Sequence, residues 1–277
     1  MPLPAIRLMT TADVEPIGAA MLREQWGDRR ANLAFLAGHP QARAFVADAD
    51  GDVVGIGVLC INGPVGWIGT VWVEPAWRRQ GVGMAVTQAT LDAAEVAGCR
   101  TLVLVATRDG RPLYERLGFE VQTFYRILEA PGIEGAADPR VRSFEPGDLG
   151  AIEALDRAAT GEDRGHLLRA FASPESARVV EGTDGSVAGF MVRAPWGGGA
   201  TIVPGLDDAL TMLEARRIAA GPDKSVRAGL LQENEAGLER LLATGWTEAW
   251  SAPRLVRGEP LEWDPTAIWG QFNFAIG

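Results

Sequence analysis

Apolar positions along this chain change period several times, and the changes predict its elements. Ile6-Arg7-Leu8 reads as a short strand, followed by Val14, Ile17, Met21 and Leu22 at helical spacing, with Thr11 or Asp13 as the cap. Ala31 to Leu36 predicts a second helix. Ala44 to Ala47 and Val53 to Ile61 predict two strands joined by the turn Asp48-Ala49-Asp50-Gly51-Asp52. Val65 to Val73 is a third apolar run, ended at Pro75, because proline cannot donate to a ladder. Val82, Val86, Ala89, Ala93 and Val96 then recur with helical period up to Gly98. Thr101 to Ala106 and Glu120 to Leu128 predict two more strands around a short helix.

After a Pro- and Gly-bearing stretch at 131–139 the pattern restarts. Val141, Arg142, Asp148 and Ile152 repeat Ile6, Arg7, Asp13 and Ile17 at an offset of 135. Gly185 and Gly189 repeat Gly51 and Gly55 at 134, and the stretch from Asn234 to Trp246 repeats Thr107 to Phe119 at 127. The shrinking offset places a deletion of about seven residues between the second turn and the second closing helix. The chain therefore reads as a tandem duplication with halves at 1–130 and 140–277, joined by 131–139.

Between Val73 and Val82 lies the segment that sets the halves apart. Arg78, Arg79, Gln80, Gly81, Val82, Gly83 and Met84 form a basic, glycine-bearing turn that opens a helix. The first amides of a helix have no internal acceptor and sit at the positive end of its dipole, and glycines let an anion approach the backbone. The expected ligand is a pyrophosphate. The second half has Pro204-Gly205-Leu206-Asp207-Asp208 at this place, whose acids repel phosphate. Gly197-Gly198-Gly199 precedes a strand instead of opening a helix, so it does not pass the context test for a phosphate loop.

Arg78-x-x-Gly81-x-Gly83, followed by Leu113-Tyr114-x-x-x-Gly118-Phe119, resembles the signature of the GNAT N-acetyltransferase superfamily over about residues 5 to 128. The whole is similar to tandem GNAT proteins whose C-terminal copy has diverged. Ala158 to Arg164 resembles a motif of that copy, or reads equally as a helix-ending turn. The resemblance implies an α/β (α+β) fold of two GNAT-like domains, each a mixed, mostly antiparallel sheet flanked by helices. It implies acetyl-CoA as co-substrate, with a bulge at Val71, Trp72 and Val73 presenting amides to the thioester and pantetheine adding like a strand beside it. The pyrophosphate would fall on Arg79 to Met84, with Thr107 and Arg111 as further cofactor contacts. Thr107 departs from the asparagine common there. Tyr114 is the expected general acid. Glu74, Glu24 and Asp28 are the acids within reach for a general base, with Glu74 expected to face solvent. The function implied is direct acetyl transfer to an amine. The alternatives are a non-catalytic acetyl-CoA-binding regulatory module or transfer of a longer acyl group.

Composition narrows the partners. A net charge of −10 argues against nucleic acid, which needs a basic footprint. No apolar run reaches membrane-spanning length and no signal-like start is present, so a cytoplasmic protein is expected; the resemblance implies a monomer or homodimer acting on a small-molecule amine. Cys60 and Cys99 lack metal-ligand spacing and read as reduced thiols. His39 and His166 are the only histidines, so no metal is expected. The scattered tryptophans, among them Trp26, Trp67, Trp72, Trp77, Trp196 and Trp246, read first as packing residues, with an acceptor wall as the other use.

Overall fold

The structure is a computed structural model that describes residues 3–277; Met1 and Pro2, the start of the first half, lie outside it. The first half runs β1 (Ala5–Leu8), α1 (Val14–Arg23), α2 (Arg30–Gly38), β2 (Ala42–Ala49), β3 (Asp52–Asn62), β4 (Val65–Val73), α3 (Val82–Val96), β5 (Thr101–Val105), α4 (Arg111–Arg116) and β6 (Glu120–Pro131). The second runs β7 (Val141–Ser143), α5 (Leu149–Thr160), α6 (Gly165–Phe171), β8 (Ala177–Glu181), β9 (Val187–Arg193), β10 (Gly199–Ile202), α7 (Leu206–Ala220), β11 (Ser225–Leu231), α8 (Glu235–Ala243) and β12 (Thr247–Gly258), with β13 (Ile268–Gly270) added at the end. Both halves follow one order of elements, as the repeat predicts.

The duplication is visible in side-chain chemistry as well. Arg7 donates to both carboxylate oxygens of Asp13 and to Asp48, while Asp13 accepts from Thr10 N at 2.7 Å. Arg142 does the same with Asp148 and Glu181, and Asp148 accepts from Glu145 N at 2.8 Å. These clamps anchor the first strand to the first helix of each copy. The expected cap at Thr11 is not used: Asp13 reaches back to Thr10 across a single 3-10 turn, and α1 begins only at Val14.

The strands do not stay within their own halves. The larger sheet has the order β1-β2-β3-β4-β5-β12-β6-β11 and the smaller β13-β10-β9-β8-β7. Strand β12 pairs antiparallel with β5 on one side and β6 on the other, and β6 pairs with β11. Each copy thus hands its closing strand to the other. Tyr125 and Ala252, which face each other across β6 and β12, are counterparts at the 127 offset and mark the pseudo-two-fold axis. One continuous apolar core follows, joining Met21, Val58 and Trp67 of the first half to Phe190, Ile268 and Phe272 of the second.

Two expectations about apolar faces are corrected. Leu22 is exposed, and on α3 Val96 is almost fully exposed while Ala89 and Ala93 are half-buried. The buried face of α3 is instead Val82, Val86, Thr87, Thr90, Leu91 and Ala94. Its buried hydroxyls are satisfied inside the helix, Thr87 Oγ1 donating to Gly83 O at 2.7 Å and Thr90 Oγ1 to Thr87 O at 2.6 Å. A Cβ at Gly57 would lie 3.1 Å from Val86 O, so the helix backbone seats directly on β3 there.

Candidate functional site

Strand β4 carries a bulge. Its register against β3 jumps from Trp72↔Ile56 to Gly69↔Val58, leaving Thr70 and Val71 opposite Gly57. Thr70 has φ +49°, a left-handed conformation that a β-branched residue rarely adopts and that tends to be kept at working sites. The parallel pairing of β4 with β5 covers only Val65 to Trp67 against Thr101 to Val103. Beyond Trp67 the strands diverge, and β5 goes on pairing with β12 up to Val105↔Arg254. A gap opens between β4 and β5. Val71, Trp72 and Val73 line it, as do Ile68, Val105 and Ala106.

The far end of β4 leads into the basic turn. Gly81 caps α3 with φ +89°, and Arg79 also lies in the left-handed region at +63°. Ala85 N is the first helix amide with an acceptor, Gly81 O at 3.0 Å; none of the amides from Arg79 to Met84 has one among the described residues. Six N–H groups therefore stand free where the helix dipole is positive. At Gly81 the backbone itself requires glycine. At Gly83 an added Cβ would meet only ordinary contacts at 3.6 Å and beyond, so packing does not require glycine there.

The side chains of the turn divide. Arg79 reaches no carboxylate among the described residues and lines the cleft. Arg78 also lines it, yet its Nε donates to Val73 O and its Nη2 to Glu24, both within 2.9 Å. It braces the end of β4 more than it offers charge. Gly81, Gly83 and Met84 line the cleft; Gln80 donates to Ala76 O away from it, and Val82 is buried against Gly55.

Tyr114 sits on α4 beside the gap, its ring edge-on to the buried Phe119 at 6.2 Å. Burial pushes its phenol up to about 12, so the group stays protonated at neutral pH. Thr107 Oγ1 accepts from Gly110 N at 3.1 Å and caps the turn into α4. Asn234 caps α8 in the same way, accepting from Gly237 N. Threonine here keeps the structural half of asparagine's task. Arg111 lines the cleft and pairs with Glu115 one turn on.

The acids near the reacting end are already engaged. Glu24 accepts from Arg78, exposed Asp28 pairs with Arg30 at 3.1 Å, and Glu74 lies 4.0 Å from Arg23. None of the three lines the cleft, which leaves Glu24 and Asp28 badly placed as bases. The cleft, about 2390 Å³, runs from the β4–β5 gap past the junction of the halves. Trp26, Trp72, Trp196 and Trp250 wall it, whereas Trp67 and Trp246 are core residues.

One structural role was not legible in the sequence. Glu162, inside the Ala158–Arg164 stretch, is a buried carboxylate that accepts from Asn62 Nδ2 at 2.7 Å and Trp67 Nε1 at 2.8 Å, both of the other half. Burial pushes its pKa up, and nearby Arg164 opposes that. Arg164 is itself buried, paired with both oxygens of Asp156. Gly161, left-handed at φ +71°, ends α5 and turns these side chains inward. The stretch is therefore a helix-ending turn and a fastener between the halves at once. A Glu-x-Arg directly after a helix-stopping glycine was the available signal.

Asn62 also carries a relay. Its Nδ2 donates to Glu162, so its Oδ1 accepts from His166 Nε2 at 3.0 Å. That tautomer leaves His166 Nδ1 to accept from His39 Nε2 at 2.7 Å. Burial and the facing His39 hold His166 down at about 4, and burial lowers His39 too.

The second half has no counterpart of the open gap. Strand β13 pairs with β10 and lies against β11, filling the place between them. Helix α7 starts at Gly205 with extended backbone, φ −81°, and Asp208 of its first turn is paired to Arg140 at 2.7 Å.

Comparison with known proteins agrees with this geometry. Residues 13–119 match the model of the acetyltransferase (GNAT) family. Over 207 residues the chain is 27% identical to "Uncharacterized N-acetyltransferase YitH" of Bacillus subtilis, covering 72% of each. In three dimensions it resembles a putative acetyltransferase from Pyrococcus horikoshii, with a TM-score of 0.83 and 20% identity over 99% of this chain and 95% of that one. It also resembles a tandem GNAT protein from the clavulanic acid biosynthesis pathway, with a TM-score of 0.63 and 15% identity over 94% and 99%. Among the described residues no helix is long and apolar enough to cross a membrane. The matched family model and the duplicated fold lead to one assignment: residues 13–119 belong to the acetyltransferase (GNAT) family, and the whole chain has the tandem fold of those two solved structures.

Proposed function

We propose that the protein is an N-acetyltransferase that uses acetyl-CoA through residues 1–130, with 131–139 as linker and 140–277 as a diverged copy that closes the acceptor cleft. The observation that carries this reading is the continuity of the β4–β5 gap with the free amides from Arg79 to Met84. A thioester-bearing arm of strand-like width and a pyrophosphate at its end suit those two features in that order. Acetyl-CoA supplies the activated acyl group when bound. Val71, Trp72 and Val73 orient its carbonyl beside the bulge, where strand amides meet the developing negative charge. Arg79 adds positive charge at the phosphate end, and Arg111 extends it. Tyr114 holds the proton needed by the departing sulfur, and its raised pKa keeps that proton in place. The acceptor is a small amine that arrives neutral or loses its proton to solvent.

A second reading rests on the acids. Among the described residues Asp109 and Glu175 are the only carboxylates lining the cleft, and Glu175 is exposed and bound to Ser173. A regulatory module that binds acetyl-CoA without turnover would need no base at all. Free-thiol release from acetyl-CoA across an amine library separates the two: release above hydrolysis supports the enzyme, and cofactor binding without release supports the sensor. Mass spectrometry of co-purified CoA species tests for a longer acyl chain. Tyr114→Phe should lower kcat by about 100-fold with the KM for acetyl-CoA unchanged; an unaltered kcat would remove Tyr114 from the mechanism.

A further inference from the structure

Arginines withdrawn from water in this chain are held by acids. Arg7, Arg140 and Arg142 each pair with two carboxylates and Arg126 with Glu248, and those hydrogen bonds push all four up from the ordinary guanidinium value. Arg216, on the second half of α7, is pulled the other way. It is half-buried and makes no ion pair among the described residues; its Nη1 donates only to a backbone oxygen, Arg227 O, at 2.6 Å. Burial, with the nearby charge of Arg193, pulls it down to about 10. An unpaired guanidinium taken from water is unfavourable, and a second one beside it makes it more so.

The fold brings the two arginines together. Across the small sheet Met191 stands opposite Thr201 and Arg193 opposite Gly199. Side chains alternate along a strand, so Met191 and Arg193 share one face of β9. Helix α7 packs on that face, where Met191 joins Ala209, Met212 and Leu213 in one apolar cluster. Arg216 lies one turn beyond Met212, as Arg193 lies one step beyond Met191. The apolar layer between helix and sheet thus ends in two neighbouring guanidinium groups, and both line the cleft.

Other charges in this part of the cleft have partners or are elsewhere. Arg178 lines it too, but its Nη1 donates to Pro174 O at 2.8 Å and Ala177 O at 2.7 Å, and Glu175 lies close to it. Arg227 pairs with Glu129 at 2.7 Å. No acid of α7 lines the cleft, and Asp109 follows β5 in the first half.

We propose that the second half binds a small-molecule oxyanion, a phosphate or carboxylate group, held by Arg216 and Arg193. The site does not depend on the acetyl-transfer reading, and it lies in the copy that lacks the basic turn. An oxyanion accepts from two guanidinium groups at once, and such charge-assisted bonds are among the strongest available to a side chain. It also removes the repulsion between the two cations. The ligand supplies the negative partner that the chain itself provides for its other withdrawn arginines.

The test is calorimetric titration of the full-length protein, at low ionic strength and with coenzyme A present, using inorganic phosphate and, separately, succinate. At least one should bind with a Kd below about 1 mM. Arg216→Gln and, at an exposed position, Arg193→Gln should each weaken that binding by about 10-fold or more. A response to phosphate alone assigns a phosphate ester, and a response to succinate alone assigns a carboxylate. Absence of binding by both probes, or binding that neither variant changes, would overturn the proposal. So would binding that Arg79→Gln abolishes and Arg216→Gln leaves intact, since the ion would then sit on the basic turn. If coenzyme A itself does not bind, the acetyl-transfer reading falls, while the arginine variants still decide this one.

Discussion

The two copies in this chain share their order of elements and differ in what lies between their fourth and fifth strands. In the first, β4 bulges at Thr70, parts from β5 after Trp67 and leaves a gap that leads to six free amides. In the second, β10 and β11 stand in the same relation, but β13 lies between them, hydrogen-bonded to β10 at Thr201↔Gly270 and Ile202↔Ile268. The chain's own backbone thus occupies the place that the first copy keeps open. Loss of the turn with free amides and filling of the gap go together: strand edges left unpaired by their own sheet need another partner.

Four experiments would break or sharpen this comparison. The largest effect is expected from separating the copies. Residues 1–139 alone would leave β5 and β6 without β12 between them and should show no cooperative unfolding transition. Mixing with 140–277 should restore one, read by circular dichroism against temperature. Next, Glu162→Ala leaves the buried Asn62 Nδ2 and Trp67 Nε1 donors without their acceptor, and should cost about 2 to 3 kcal/mol of stability in urea titrations. A loss below about 0.5 kcal/mol would mean that the fastener is incidental.

A third effect follows from the histidines. His166 is held near 4, below the 6.5 of an unfolded chain, so between those values the unfolded state binds more protons. Stability is therefore full above about pH 6.5 and declines as pH falls towards 4, by about 1 to 2 kcal/mol after allowing for partial exposure. His166→Gln should flatten that slope in denaturation midpoints measured from pH 7 to pH 4.5. The smallest effect comes from paired glycines at the two helix starts. Gly81→Ala forces a side chain into the left-handed region and should cost about 1 kcal/mol, with a raised KM for acetyl-CoA. Gly205→Ala, at φ −81°, should leave the KM unchanged and cost less than about 0.5 kcal/mol.

How much of this could be read from residues alone depended on range. The strand from Val65 to Val73, the helix from Val82, the deletion and the 127 offset are local patterns, and the elements stand where those patterns put them. The arginine-to-aspartate repeat at Arg7 and Arg142 was visible as spacing, though not as a clamp. The exchange of β6 and β12 was not legible, because pairing partners more than a hundred residues apart leave no trace in periodicity. The face of α3 was misjudged because Thr87 and Thr90 satisfy their hydroxyls on their own helix and so pack as apolar residues do. Arg78 read as phosphate charge because nothing local reveals Glu24, fifty-four positions away.

The crossing of β6 and β12 bears on how such a chain can change over time. In a symmetric homodimer built this way, any substitution in the basic turn would strike both subunits together. Joining the copies by a short tether holds the partners at high effective concentration and releases one of them from that constraint. The trailing copy can then surrender its turn, fill its own groove and specialise as a wall, provided its last strand still reaches across. What it cannot do is leave.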